Sequence, residues 1–116
     1  MLFSGRHEEC VAFYRAIGVP LQEERHGADG PLHHACDLDG VHIAVFAAPG
    51  QGEAPGIGQP GGSFAGFAVE SVDAAVEAAV GVGATVIQEP DDYPWGRRAV
   101  LRDPDGRPVE VFAPPT

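Results

Sequence analysis

The stretch Asp91–Pro114 reads DDYPWGRRAVLRDPDGRPVEVFAP, and its second half has an earlier echo. Asp105-Gly106 opens the run Arg107-Pro108-Val109-Glu110-Val111-Phe112-Ala113, as Asp39-Gly40 opens Val41-His42-Ile43-Ala44-Val45-Phe46-Ala47. Each is an Asp-Gly turn followed by a strand-like run that ends Val-Phe-Ala. Ser4 and Ser71 stand ahead of helical patterns at nearly the same offset. A repeat spaced at close to half the chain length predicts one βαβββ unit used twice, in an α+β fold. Paired units of this kind build a concave sheet, and concave surfaces hold small ligands.

The remaining elements arrange themselves around that repeat. Cys10, Phe13, Tyr14 and Ile17 recur at helical spacing and predict a helix over 4–18, with Ser4 as N-cap, Glu8 and Glu9 in the first turn and Gly18 at the end. Leu21–Arg25 reads as a short edge strand, and Leu32–Leu38 pairs with Val41–Ala47 as a hairpin across Asp39-Gly40. Gly and Pro crowd residues 49–62 and disfavour both helix and ladder, so module one spans about 1–48, a linker 49–62 and module two 63–116. In module two Ser63–Glu70 is a strand, and Ser71 caps a helix whose Val72, Ala75, Val76, Ala79 and Val80 share a face. Ala84–Gln88, Arg97–Arg102 and Arg107–Phe112 complete it. Only Met1-Leu2-Phe3 precede Ser4, against about seven residues for the matching strand of module two. Either the first strand is truncated, or the natural chain starts further upstream.

Composition narrows the function. The chain has 116 residues, 44% hydrophobic and 21% charged, which suits one globular domain. It lacks a long apolar run and a secretion signal, so neither a membrane span nor export is expected and the cytoplasm is the default location. Net charge is -10, from 17 acidic against 7 basic residues. Such a surface repels nucleic acid and anionic membrane; it favours solubility and attracts cationic ligands. Cys10 and Cys36 fall in apolar segments and read as reduced core thiols. No nucleophile elbow or phosphate-binding loop is present, and Asp91-Asp92 reads as a turn or solvated cluster. Arg98 and Arg102 share a strand face and can grip an anionic group, although pairing with Asp103 or Glu89 is the ordinary expectation.

Phe13-Tyr14-Arg15-Ala16-Ile17-Gly18, the glycine-ended second helix, and Pro94-Trp95-Gly96-Arg97 with Asp103-Pro104-Asp105-Gly106 and Val109-Glu110-Val111-Phe112 resemble the vicinal oxygen chelate superfamily. That group includes glyoxalase, extradiol dioxygenases, and bleomycin and fosfomycin resistance proteins. The resemblance implies two βαβββ modules forming a U-shaped half-barrel sheet, commonly in a homodimer with ligand sites in the grooves. It also implies metal ligands on the first and fourth strands of each module. Carried over, those positions are Glu110, Ala44, Phe64 and a residue ahead of Met1, so Glu110 is the single ligand position retained.

A metal site needs three or more N or O ligands, so no metal and no cofactor are expected. The competing set is His42, His34 and Glu110: His42 shares a strand face with Ala44, and His34, alternating with Cys36 and Leu38, faces inward while His33 points away. Tyr93, Trp95 and Phe64 supply flat apolar surfaces, and Phe112 shares the face of Glu110. The candidate groove is therefore His34, His42, Phe64, Tyr93, Trp95, Glu110 and Phe112, with no catalytic residue assigned. The reading favoured is a metal-independent small-molecule binder that sequesters a cationic or aromatic compound. The alternatives are a divalent-metal-dependent lyase, isomerase or dioxygenase, and a noncatalytic interaction domain. A homodimer, with modules free to swap between chains, covers the open sheet edges.

Overall fold

The computed structural model describes residues 1–50, 58, 60 and 62–115, so most of the 49–62 linker lies outside the described residues. Module one runs β1 (Leu2–Ser4), α1 (His7–Ala16), β2 (Gln22–Glu24), β3 (His33–Leu38) and β4 (Val41–Ala47). Module two repeats the order as β5 (Ala65–Ala68), α2 (Val72–Gly81), β6 (Thr85–Tyr93), β7 (Gly96–Arg102) and β8 (Pro108–Ala113). Each module makes a four-stranded mixed sheet, ordered β1-β4-β3-β2 in the first and β5-β8-β7-β6 in the second. The first and fourth strands pair parallel, the others antiparallel, and neither sheet closes into a barrel. The fold is α+β, two βαβββ modules with an open, half-barrel arrangement.

The Asp39-Gly40 turn has φ of 50° and 84°, the left-handed pair that a two-residue hairpin needs, and it sets the register of β3 against β4. Ser71 caps α2 as expected, its Oγ accepting from the Ala74 N–H at 3.1 Å. Ser4 does not cap α1. It ends β1, its Oγ accepts from the Arg6 N–H at 2.9 Å, and Arg6 becomes the N-cap residue without a side-chain cap bond. Ser4 sits two residues too early to reach the first helical turn, because the β1 pairing holds it. The matching strands differ less than expected: β5 has four residues against three in β1. β6 is longer than expected, running through Asp91 and Asp92 to Tyr93. It is an edge strand, and its register shifts between Val86 and Asp91 absorb Pro90, which has no N–H to give a ladder.

One core serves both modules. Cys10, Phe13 and Tyr14 from α1 and Ile17 at its C-cap pack with Val72, Ala75, Val76 and Ala79 from α2 over Val45, Leu101, Val109 and Val111. Val80 leaves the expected apolar face and is 49% exposed. Each large aliphatic or aromatic side chain buried here contributes roughly 1.5–3 kcal/mol. The modules are also pinned by the Asp103–Gly106 turn. Asp103 is buried and accepts from Tyr14 Oη at 2.7 Å, from the Arg107 side chain at 3.0 Å and from the backbone N–H groups of Asp105 and Arg107, both at 2.9 Å. Arg107 reaches the Phe3 carbonyl, and Arg6 donates to the Pro104 carbonyl at 3.1 Å.

Candidate ligand groove

Strand alternation divides each sheet into a face under the helices and a face free of them. In the second sheet Val109, Val111, Ala99 and Leu101 point into the core. Their neighbours Glu110, Phe112, Arg98 and Val100 therefore share the helix-free face, and the β7–β8 register places Val100 across from Glu110 and Arg98 across from Phe112. Gly66 pairs with Glu110 across β5, and a side chain built at Gly66 meets Glu110 Oε1 at 3.4 Å and the Phe112 ring at 3.5 Å.

A chain of polar contacts runs across this face. Arg98 Nε donates to Glu110 Oε2 at 2.7 Å, and both side chains are about four-fifths buried. Arg98 also donates to Gln88 Oε1 at 3.0 Å, and Gln88 Nε2 donates to Tyr93 Oη at 2.7 Å. Tyr93 lies parallel to Trp95, ring centres 5.2 Å apart and planes 8° apart, while Trp95 stays 51% exposed. Hydrogen bonding to Glu110 raises the Arg98 pKa above the ordinary guanidinium value. The arginines thus find other partners than Asp103 or Glu89: Arg98 takes Glu110, Arg97 takes Asp73 and Asp92, and Arg102 caps the Gly106 carbonyl.

Of the seven expected groove residues, Tyr93, Trp95, Glu110 and Phe112 come together here. Phe64 precedes β5 and is 42% exposed. His42 belongs to the first sheet, is exposed, and lies 3.0 Å from Asp37. His34 is on the wrong face for the groove. Its register partner is the core residue Val45, and its Nδ1 lies 2.8 Å from Nε2 of His7 on α1. Partial burial, then the neighbouring His7, lowers its pKa. His33, expected to point away, instead occupies the helix-free face: it is 2% exposed and stacks on Phe46, rings 4.3 Å apart, with Phe46 stacked in turn on Phe3. Register across Asp39-Gly40 was the available signal, since a turn pairing Leu38 with Val41 must pair Ala44 with Ala35 and Phe46 with His33.

A metal at the family's corner does not fit these residues. Glu110 is committed to Arg98, Ala44 carries no donor, and Gly66 and Ala68 are what β5 sets beside Glu110 and Phe112. His34, His42 and Glu110 each hold a different neighbour and form no common ligand set among the described residues. A separate cleft of about 550 Å³ lies on the helix side, between the end of α1 and the start of α2. It is lined mostly by small apolar residues and contains none of the candidate groove residues.

Comparison with known proteins agrees with this architecture. Anthracycline biosynthesis protein DauV of Streptomyces sp. (strain C5) is 36% identical over 101 residues, covering 85% of this chain and 34% of that protein. The chain thus spans about a third of the length of this curated relative. The crystal structure of TioX from Micromonospora sp. ML1 superposes with a TM-score of 0.68 at 23% identity, covering 98% of this chain and 94% of that one. TnmS3, an antibiotic binding protein from Streptomyces sp. CB03234, gives a TM-score of 0.62 at 21% identity, with 99% and 91% covered. Residues 1–111 match the family profile itself, and with the duplicated βαβββ architecture they establish that the chain belongs to the Glyoxalase/Bleomycin resistance protein/Dioxygenase superfamily.

Proposed function

We propose that the protein binds a cationic or aromatic small molecule on the helix-free face of its second sheet and sequesters it without help from a metal at the Glu110 corner. The observation that carries this reading is the Glu110–Arg98–Gln88–Tyr93 chain, which ends where half-buried Tyr93 stacks on exposed Trp95. The ion pair uses up the one carboxylate that the family's metal position retains. The stack beside it offers a flat surface on which a ligand ring gains ~0.5–1.5 kcal/mol beyond simple burial. A net charge of -10 draws cations toward that surface. The names of two relatives, one in anthracycline biosynthesis and one antibiotic-binding, make an antibiotic the first class to try.

In this reading a second copy covers the exposed Phe3 and Phe64 and completes the groove, so the working form is a homodimer. Two free thiols suit a reducing, cytoplasmic setting. Calorimetric titration of an anthracycline into chelator-treated protein tests the proposal. Saturable binding at one site per chain, weakened about tenfold by Trp95→Ala, is expected. Failure of an anthracycline and of simple cationic aromatics to bind at all defeats it.

A further inference from the structure

We propose a divalent-metal site of two imidazoles and one carboxylate at Glu24, His26 and His33, on the outer edge of the first sheet. It is distinct from the family's metal corner and from the groove of the second sheet. Glu24 on β2 is the direct register partner of His33 on β3, so both project from the helix-free face. His26 follows β2 in the turn and lies over that pair, its ring stacked 5.2 Å from that of His33. One ligand atom from each of the three residues lies within 4.8 Å of the other two. Nε2 of His26 is 2.6 Å from Glu24 Oε1, and Nε2 of His33 is 3.8 Å from the same oxygen. Donors around a tetrahedral zinc stand roughly 3.3 Å apart, given bonds of about 2.0–2.2 Å. These separations straddle that spacing, so small side-chain rotations bring all three onto one ion.

His33 supplies the independent argument. Its side chain is 3% exposed, and its Nδ1 is 3.1 Å from the Pro31 carbonyl, which cannot donate, so Nδ1 carries the proton. That leaves Nε2, 3.8 Å from Glu24 Oε1 and so beyond hydrogen-bond length, as the ring nitrogen available to an ion. An imidazole oriented through its far nitrogen by a backbone carbonyl is how proteins hold metal-ligating histidines. The ring is clamped further by Phe46, stacked at 14°. The turn that carries His26 is also tightly built: a Cβ at Gly30 would lie 2.1 Å from the His26 carbonyl oxygen, so glycine is required there.

The other three-residue group, Cys10, Asp103 and Asp105, does not compare. Burial, and then the Asp103 charge, pushes the Cys10 thiol up to about 12, and both Asp103 oxygens already accept protein hydrogen bonds. Two nitrogens and one oxygen suit Zn²⁺, Cu²⁺ or Ni²⁺ rather than Mg²⁺ or Ca²⁺. An ion there ties the turn after β2 to the face that holds Phe46 and Phe3.

The test uses the full chain without a polyhistidine tag, stripped with chelator and titrated with Zn²⁺ alone by calorimetry. One ion per chain is expected, with His26→Ala and Glu24→Gln each weakening binding at least about tenfold and His42→Ala leaving it unchanged. His26 is exposed and Glu24 half-buried at the sheet edge, and Glu24→Gln keeps the side-chain shape, so these variants keep the fold, which circular dichroism checks. Co²⁺ gives a second readout: visible absorption from a low-coordinate site, lost in His26→Ala. Absence of saturable one-to-one binding overturns the proposal, as does unchanged affinity in both His26→Ala and Glu24→Gln. Neither readout involves the groove ligand, so this site and the ligand-binding function stand or fall separately.

Discussion

At the scale of single residues, the Arg98–Glu110 pair is the feature with the sharpest consequence. Arg98→Ala strands a mostly buried carboxylate, and the expected loss is ~1–3 kcal/mol, read as a lower urea midpoint. The double variant Arg98→Ala/Glu110→Ala should lose less than the two singles added, because its second change removes the stranded charge. Cys10 predicts a dependence on pH. Its folded pKa is raised from 9.0 to about 12, chiefly by burial, so above pH 9 the unfolded thiol ionises while the folded one keeps its proton. The unfolded state then binds fewer protons, so stability is complete below pH 9 and falls as pH rises toward 12. Urea titrations at pH 8 and pH 10.5 should show that fall, and Cys10→Ala should reduce it. These effects were only half legible. Glu110 stands out in the sequence, but the β7–β8 register sets Val100 opposite it, and its partner Arg98 reaches it diagonally from the position across from Phe112.

At the scale of elements, the two helices start differently although a serine precedes each. Ser71→Ala removes the bond to the Ala74 N–H and should cost about 1 kcal/mol, seen as a lower melting temperature. The β3–β4 hairpin explains why the histidine faces are hard to read from the chain. The run His33-His34-Ala35-Cys36-Asp37-Leu38 carries small or apolar residues on both faces, Ala35 on one and Cys36 on the other, so alternation alone does not choose. The turn does choose, because Asp39 and Gly40 fix which residues stand opposite each other. β6 shows a different limit. Pro90 and the pair Asp91-Asp92 look like an ending, yet an edge strand tolerates a missing N–H where its register shifts.

At the scale of the whole molecule, the chain is elongated, 49 × 28 × 26 Å, and its halves are joined by a shared core and by the Asp103 turn. Tyr14→Phe deletes a hydroxyl that donates to the buried Asp103 and should cost ~1–2 kcal/mol in a urea titration. Asp103→Ala goes further: it leaves the Tyr14 hydroxyl and two backbone N–H groups without their acceptor and takes one of the partners of Arg107, for about 3–5 kcal/mol. Both variants should still unfold in one transition by fluorescence and circular dichroism, because neither divides the common core. Light scattering should find a dimer; a monomer at all concentrations removes the second copy from the proposed groove.

The repeated Asp-Gly runs, the helical spacing of Cys10, Phe13, Tyr14 and Ile17, and the serine ahead of α2 determined the fold from the chain alone, because turns and helix starts are set by neighbours in sequence. That Ala44 brings no donor to the family's ligand position was equally plain, since an alanine has none whatever its surroundings. What only the tertiary structure decided is who answers whom: Arg98 for Glu110, Tyr14 for Asp103, His33 rather than His34 on the helix-free face. Those pairings join residues on separate strands and helices, so they depend on register and packing, which exist only once the sheets have formed.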